Sequence, residues 1–93
     1  MSREAVLALA HAAVMGRGEA YGGPEDNFAS IADLWTLWLD GSDGQVTSKD
    51  VAVMLALVKI ARLKRDINHK DSIVDLAGYA SCLGELVGVG DDV

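Results

Sequence analysis

Apolar positions along the chain recur with a helical period almost throughout. No stretch alternates with period 2, and the β-branched residues sit within runs rich in Ala and Leu, so the pattern predicts an all-α protein. Ser2 can cap a first helix over 2–15, where Ala5, Ala8, Ala12 and Ala13 let a neighbouring helix approach closely. Gly16, Gly18, Gly22 and Gly23 are expected to break that helix, and Pro24 suits the first position of a second one over 24–39. In it Phe28, Ile31, Trp35, Trp38 and Leu39 recur at spacings of 3 and 4, which predicts the buried stripe.

Beyond a turn at 40–44, Thr47-Ser-Lys-Asp50 has the spacing of a capping box and opens a third helix over 47–65. Eight consecutive apolar residues, Val51 to Val58, surround this helix and mark it as the central one. Lys59, Arg62, Lys64 and Arg65 follow at its C-terminal end, where cations offset the negative pole. After a short connector, Ile73, Leu76, Ala80, Leu83 and Val87 predict the buried stripe of a fourth helix over 69–87. Gly88, Gly90, Asp91 and Asp92 then form an acidic, frayed end. No internal repeat or low-complexity linker is present, so 1–93 reads as a single domain, a four-helix bundle.

Composition adds a partner to this picture. At 93 residues a chain buries only about 60 to 65% of its unfolded surface, yet 51% of these residues are hydrophobic and the mean hydropathy is +0.22. The surplus predicts a homo-oligomer, most simply a dimer or a multiple of one. A net charge of -6 argues against binding duplex nucleic acid or an anionic membrane, both of which call for a basic face. The lone Cys82 can build neither a disulfide framework nor a zinc site, which suits a reducing cytoplasm. The apolar run from Ala5 to Met15 is interrupted by His11 and follows Glu4, a poor signal peptide. Val51 to Val58 falls far short of the roughly 20 residues of a membrane span.

The loop before the third helix partly matches a calcium loop, with Asp43, Gly44 and Asp50 in register. Positions 1 and 3 of that register are Leu39 and Gly41, which offer no side-chain oxygen, so a turn and a capped helix account for the same residues. The fuller constellation lies on the third and fourth helices. Lys59 and Arg62 share one helix face, while Asp71, Asp75 and Tyr79 follow at i, i+4 and i+8 on the next. A short connector makes the two helices antiparallel, so cations and carboxylates converge. The segment 59–70 holds five of the eight basic residues and is the anion-attracting patch of an acidic chain. A structural salt bridge of Lys59 or Arg62 with Asp75 explains the same residues without a ligand.

Tyr21 and Asn27 flank a Gly/Pro turn and are candidates to close over a ligand, with an Asx turn as the plain alternative for Asn27. Trp35 and Trp38 could stack a base, although packing is the commoner fate of Trp at helical spacing. His11 reads as a packed or interface histidine, and Cys82 as a small buried hydrophobe.

Tyr21-Gly-Gly-Pro-Glu-Asp-Asn27-Phe28, the run from Asp50 through Lys59 to Leu63, and His69-Lys-Asp71-Ser-Ile-Val-Asp75-Leu-Ala-Gly-Tyr79 resemble a family of small phage and prophage proteins. The Lys-x-x-Arg and Asp-x-x-x-Asp-x-x-x-Tyr patterns are more remotely similar to the MazG-like, all-α nucleoside triphosphate pyrophosphohydrolases. That resemblance implies a MazG-like four-helix bundle in which Asp75 and Tyr79 match an Asp that helps hold magnesium and a Tyr near the base. Where the family has the Glu of the same motif, this chain has Ser72. A Glu-Glu-x-x-Glu motif is missing, and Lys59 and Arg62 stand in the corresponding stretch.

Loss of those glutamates removes most of a magnesium cage, whereas Lys and Arg can meet a phosphate directly. The resemblance therefore implies a phage-encoded oligomer of the host cytoplasm that binds a nucleotide or nucleotide-derived signal and sequesters it against host defence, without efficient hydrolysis. Its expected ligand residues are Lys59, Arg62, Asp71, Asp75, Tyr79, Tyr21 and Asn27, with no catalytic residue, resident metal or cofactor. One alternative is a magnesium-dependent pyrophosphohydrolase that uses Asp71 and Asp75 with carboxylates such as Asp33 or Asp50. Another is a non-catalytic helical interaction module.

Overall fold

The first free amides of three of the four helices are met by side chains that the sequence places just ahead of them. In a computed structural model, which describes residues 1–39 and 46–89 and omits the side chains of 20 and 21, Ser2 accepts from the Ala5 amide at 3.1 Å and starts α1, Arg3–Tyr21. Pro24 opens α2, Pro24–Leu39. Thr47 and Asp50 form a reciprocal capping box for α3, Ser48–Arg65, with the Thr47 amide donating to Asp50 at 2.9 Å and the Asp50 amide to Thr47 at 3.2 Å. His69 caps α4, Lys70–Val87, its Nδ1 accepting from the Ser72 amide at 3.3 Å and lying 2.6 Å from the Ser72 hydroxyl. Since Nδ1 accepts, the neutral ring carries its proton on Nε2. All four predicted helices are present, and no strand occurs among the described residues. The calcium-like positions 40–44 lie outside those residues.

Helix α1 runs past its expected end at 15, through Gly16 and Gly18, to Tyr21. Both glycines keep ordinary negative φ, and a cost of about 1 kcal/mol each does not stop a helix held by packing. The break comes at Gly22, whose φ of 82° suits a residue without Cβ and whose amide bonds to the Gly18 carbonyl at 3.0 Å.

The central element is α4, not α3: α4 packs against all three other helices, while α2 also packs on α3. Phe28, Ala32, Val46, Val51, Ala52 and Cys82 form the buried cluster, with Trp35, Leu55, Tyr79 and Leu86 packed around it. The predicted stripes hold in part, since Phe28 is buried and Ile31, Trp35 and Leu83 pack against the core, but the fully buried lines are shifted from them. On α2 they run through Phe28, Ala32 and Thr36, leaving Trp38 87% exposed and Leu39 exposed; on α4 they run through Ser72, Gly78 and Cys82, leaving Ala80 and Val87 exposed. On α1, Ala10 is buried, while Ala8, Ala12 and Ala13 are exposed.

Buried Thr36 ties α2 to the start of α3. Its Oγ1 accepts from the Val46 amide at 2.9 Å and donates to the Val46 carbonyl at 3.4 Å. Thr36→Val keeps the shape but orphans a buried amide, so urea unfolding should show a loss of about 1–3 kcal/mol.

Candidate functional site

Three helices meet around a small pocket. The C-terminal half of α1, the start of α2 and the middle of α4 enclose about 70 Å³, with Phe28 and Cys82 as apolar wall and Arg17, Asn27, Asp75 and Tyr79 as polar groups. Gly78 lets α1 and α4 approach here, because a Cβ on it would lie 3.2 Å from Val14 Cγ2. A second, mostly apolar cavity of about 310 Å³ lies between α1 and α4, lined in part by Leu7, Ala10, His11 and Met15. The two cavities adjoin, with Val14, Pro24 and Cys82 lining both.

The Asp75 carboxylate is held by Lys59, whose Nζ lies 2.8 Å from Oδ2. The lysine side chain is only 13% exposed and that of Asp75 34%, so the ammonium reaches its partner along α3 with most of its stem buried. This is the structural ion pair that the sequence offers as its plain reading. It also fixes Asp75 at the pocket wall. Burial raises the Cys82 pKa, with Glu85 adding to the effect and Ser81 and Arg17 opposing it, so the thiol stays protonated at neutral pH. Cys82 is thus the small buried hydrophobe that the sequence suggests.

Of the seven residues expected at a ligand site, Asn27, Asp75 and Tyr79 line the pocket and Lys59 joins them through Asp75. Arg62 and Asp71 are exposed and do not line it; the Arg62 carbonyl instead accepts from the Asp66 amide at 3.0 Å. The side chain of Tyr21 lies outside the described residues. Arg17 lines the pocket but escaped sequence reasoning, because the glycines around it suggested a loop. Its signal was a lone cation one turn before the Gly22 break. His11 is exposed on the rim of the larger cavity, and Trp35 packs against the core.

Among the described residues of a single chain, the donor set does not fit a magnesium cage. Among the described residues no three His, Cys, Asp or Glu side chains are grouped to hold a metal. Asp75 is neutralised by Lys59, Asp50 is engaged by Thr47, and Asp33 is exposed on α2. Ser72 is fully buried and bonded to His69.

Comparisons with known proteins add ancestry. A family model described as a domain of unknown function, DUF6378, matches residues 5–87. The Gene 55 protein of Mycobacterium phage L5 is 41% identical over 70 residues, which cover 75% of this chain and 44% of that protein. The Gene 55 protein of Mycobacterium phage D29 is 40% identical over 81 residues, covering 86% of this chain and 52% of that protein. The chain thus spans about half the length of the curated relatives it matches. No solved structure matches.

Proposed function

The chain belongs to the DUF6378 family, and from that premise we propose that it binds a nucleotide or nucleotide-derived signalling molecule in the α1–α4 groove and sequesters it without efficient hydrolysis. The observation that carries this reading is the grouping of Arg17, Asn27, Asp75 and Tyr79 around one cavity, beside a larger and mostly apolar one whose polar lining is His11, Ser81 and Glu85. About 70 Å³ is too small for a nucleotide, but the adjoining 310 Å³ reaches the lower end of ligand-pocket size, about 300–1,000 Å³. A planar base suits the apolar part. Asp75 and Asn27 can accept from ribose hydroxyls or an exocyclic amine, Tyr79 offers an aromatic edge and a hydroxyl, and Arg17 offers a fork for phosphate.

Lys59 then acts by holding Asp75, and its charge is already spent within the protein. The phage origin of the Gene 55 relatives supports a role in the host cytoplasm against a defence messenger. No helix among the described residues is long and apolar enough to cross a membrane. The remote likeness to MazG-like hydrolases supports the nucleotide class of the ligand, and the poor magnesium donor set among the described residues favours binding over turnover.

The test is mass spectrometry of small molecules that copurify with the protein from nucleotide-rich or phage-infected cells, followed by thermal melting with the compound found. A nucleotide-type molecule is expected. A ligand at 100-fold over its Kd should stabilise the fold by about 2.7 kcal/mol, a shift of roughly 10 °C or more in a domain of this size. Arg17→Ala should cut that shift while leaving the unliganded melting point within about 4 °C, as befits an exposed side chain. Failure of every nucleotide class to copurify or to stabilise the protein would overturn the reading, and rapid magnesium-dependent release of pyrophosphate would replace it with the hydrolase.

A further inference from the structure

Opposite the face that packs on α4, α3 carries a stripe that no other element among the described residues covers. Asp50, Val53, Met54, Leu57, Ile60, Ala61 and Lys64 are all exposed, and at 100° per residue they fall within a sector of about 120°. Val51, Ala52 and the Lys59 that reaches Asp75 mark the other side of the helix. The steps along the stripe, 3, 1, 3, 3, 1 and 3 residues, read the same from either end, with Leu57 at the midpoint. Its interior is apolar, with Leu57 55% and Ile60 50% exposed, and its two ends carry opposite charges.

We propose that this stripe joins two copies of the chain, α3 against antiparallel α3, about a two-fold axis at Leu57. Charge selects both the occupant and its direction. A parallel pair would set Asp50 against the partner's Asp50 and Lys64 against the partner's Lys64. The antiparallel pair sets Asp50 against the partner's Lys64, twice by symmetry, and also opposes the two helix dipoles. Both Thr47 bonds to the Asp50 side chain fall on Oδ2, at 2.9 and 3.0 Å, so Oδ1 keeps its acceptor capacity for an ammonium. In the interior, Val53 faces the partner's small Ala61, Met54 faces the partner's Ile60 and Leu57 meets its own copy, so the seam is apolar throughout. The single chain is also open for its length, with a radius of gyration of 14.1 Å against about 12 Å for a compact domain. The inference names the face and geometry of the homo-oligomer and does not depend on the ligand pocket, which lies on α1, α2 and α4.

Disulfide trapping in the full chain with Cys82→Ala distinguishes the arrangements. Leu57→Cys should form a covalent dimer under mild oxidation, because the two-fold axis brings it against its own copy. Val53→Cys should fail to link to itself but should link when coexpressed with Ala61→Cys. Lys64→Glu should weaken the dimer by about tenfold or more in sedimentation, since it sets two pairs of like charges face to face, and Lys64→Arg should preserve it. Val53→Cys linking to itself as readily as Leu57→Cys, or sedimentation of the unmodified chain as a monomer up to the millimolar range, would overturn the proposal. Neither result would bear on nucleotide stabilisation, which is read separately.

Discussion

Phe28→Ala is expected to lower stability by about 3–5 kcal/mol, the range for deleting a buried phenyl ring. Phe28 is 1% exposed, belongs to the central cluster with Val51, Ala52 and Cys82, and lines the pocket. A domain of this length holds only about 5–14 kcal/mol in total, so the loss removes a large share of it. The remaining cavity cannot collapse easily, since the ring sits at the junction of α2 with α4 and with the start of α3. Urea unfolding followed by circular dichroism checks the figure, and Phe28→Leu, which keeps most of the volume, should cost less than half as much.

Gly78→Leu is expected to be nearly as damaging and to remove ligand binding as well. Even a Cβ at this position would lie 3.2 Å from Val14 Cγ2, so the neighbour must yield for alanine, and leucine has three further heavy atoms to place. Overpacking of this kind typically costs about 1–3 kcal/mol, sometimes more, because the helices must separate. Those atoms would also enter the pocket that Gly78 lines. Gly78→Ala provides the graded control. In thermal melting, Gly78→Ala should move the midpoint by a few degrees at most and retain a nucleotide-induced shift, whereas Gly78→Leu should melt much earlier and show no shift.

Features set by local chemistry were legible in the sequence. The Ser2 cap, Pro24 at the start of α2 and the Thr47–Asp50 box depend on neighbours within one helical turn, and the structure has all three. Choosing the buried face was harder, because each helix carries more apolar residues than a single face can hold. The spacing on α2 places Trp38 in the buried stripe, yet it is exposed, since the fully buried positions of α2 are Phe28, Ala32 and Thr36. The apolar girdle of α3 pointed to a central helix, yet α4 takes that place in the single chain, and Val53, Leu57 and Ile60 remain exposed.

At the candidate site the same distinction holds. The i, i+4 relation of Asp75 and Tyr79 is local and survives, and the Lys59–Asp75 pair follows from the antiparallel connector. Arg17 depended on α1 continuing through two glycines, which residue preference disfavours and packing overrides. Arg62 and Asp71 lie about one turn beyond the Lys59–Asp75 pair, toward the α3–α4 connector, and so fall outside a small pocket.

The central claim, that the α1–α4 groove binds a nucleotide-type ligand through its polar end, is tested most directly by calorimetric titration. The probes are nucleoside mono-, di- and triphosphates and cyclic dinucleotides, each added to the wild-type chain and to Tyr79→Phe and Asn27→Ala. The account predicts saturable binding of at least one probe by the wild type, weakened about 5- to 30-fold in each variant at an unchanged melting point, as expected for loss of one hydrogen bond worth about 1–2 kcal/mol. Binding that both variants retain at full strength, or no heat of binding from any probe, would contradict it.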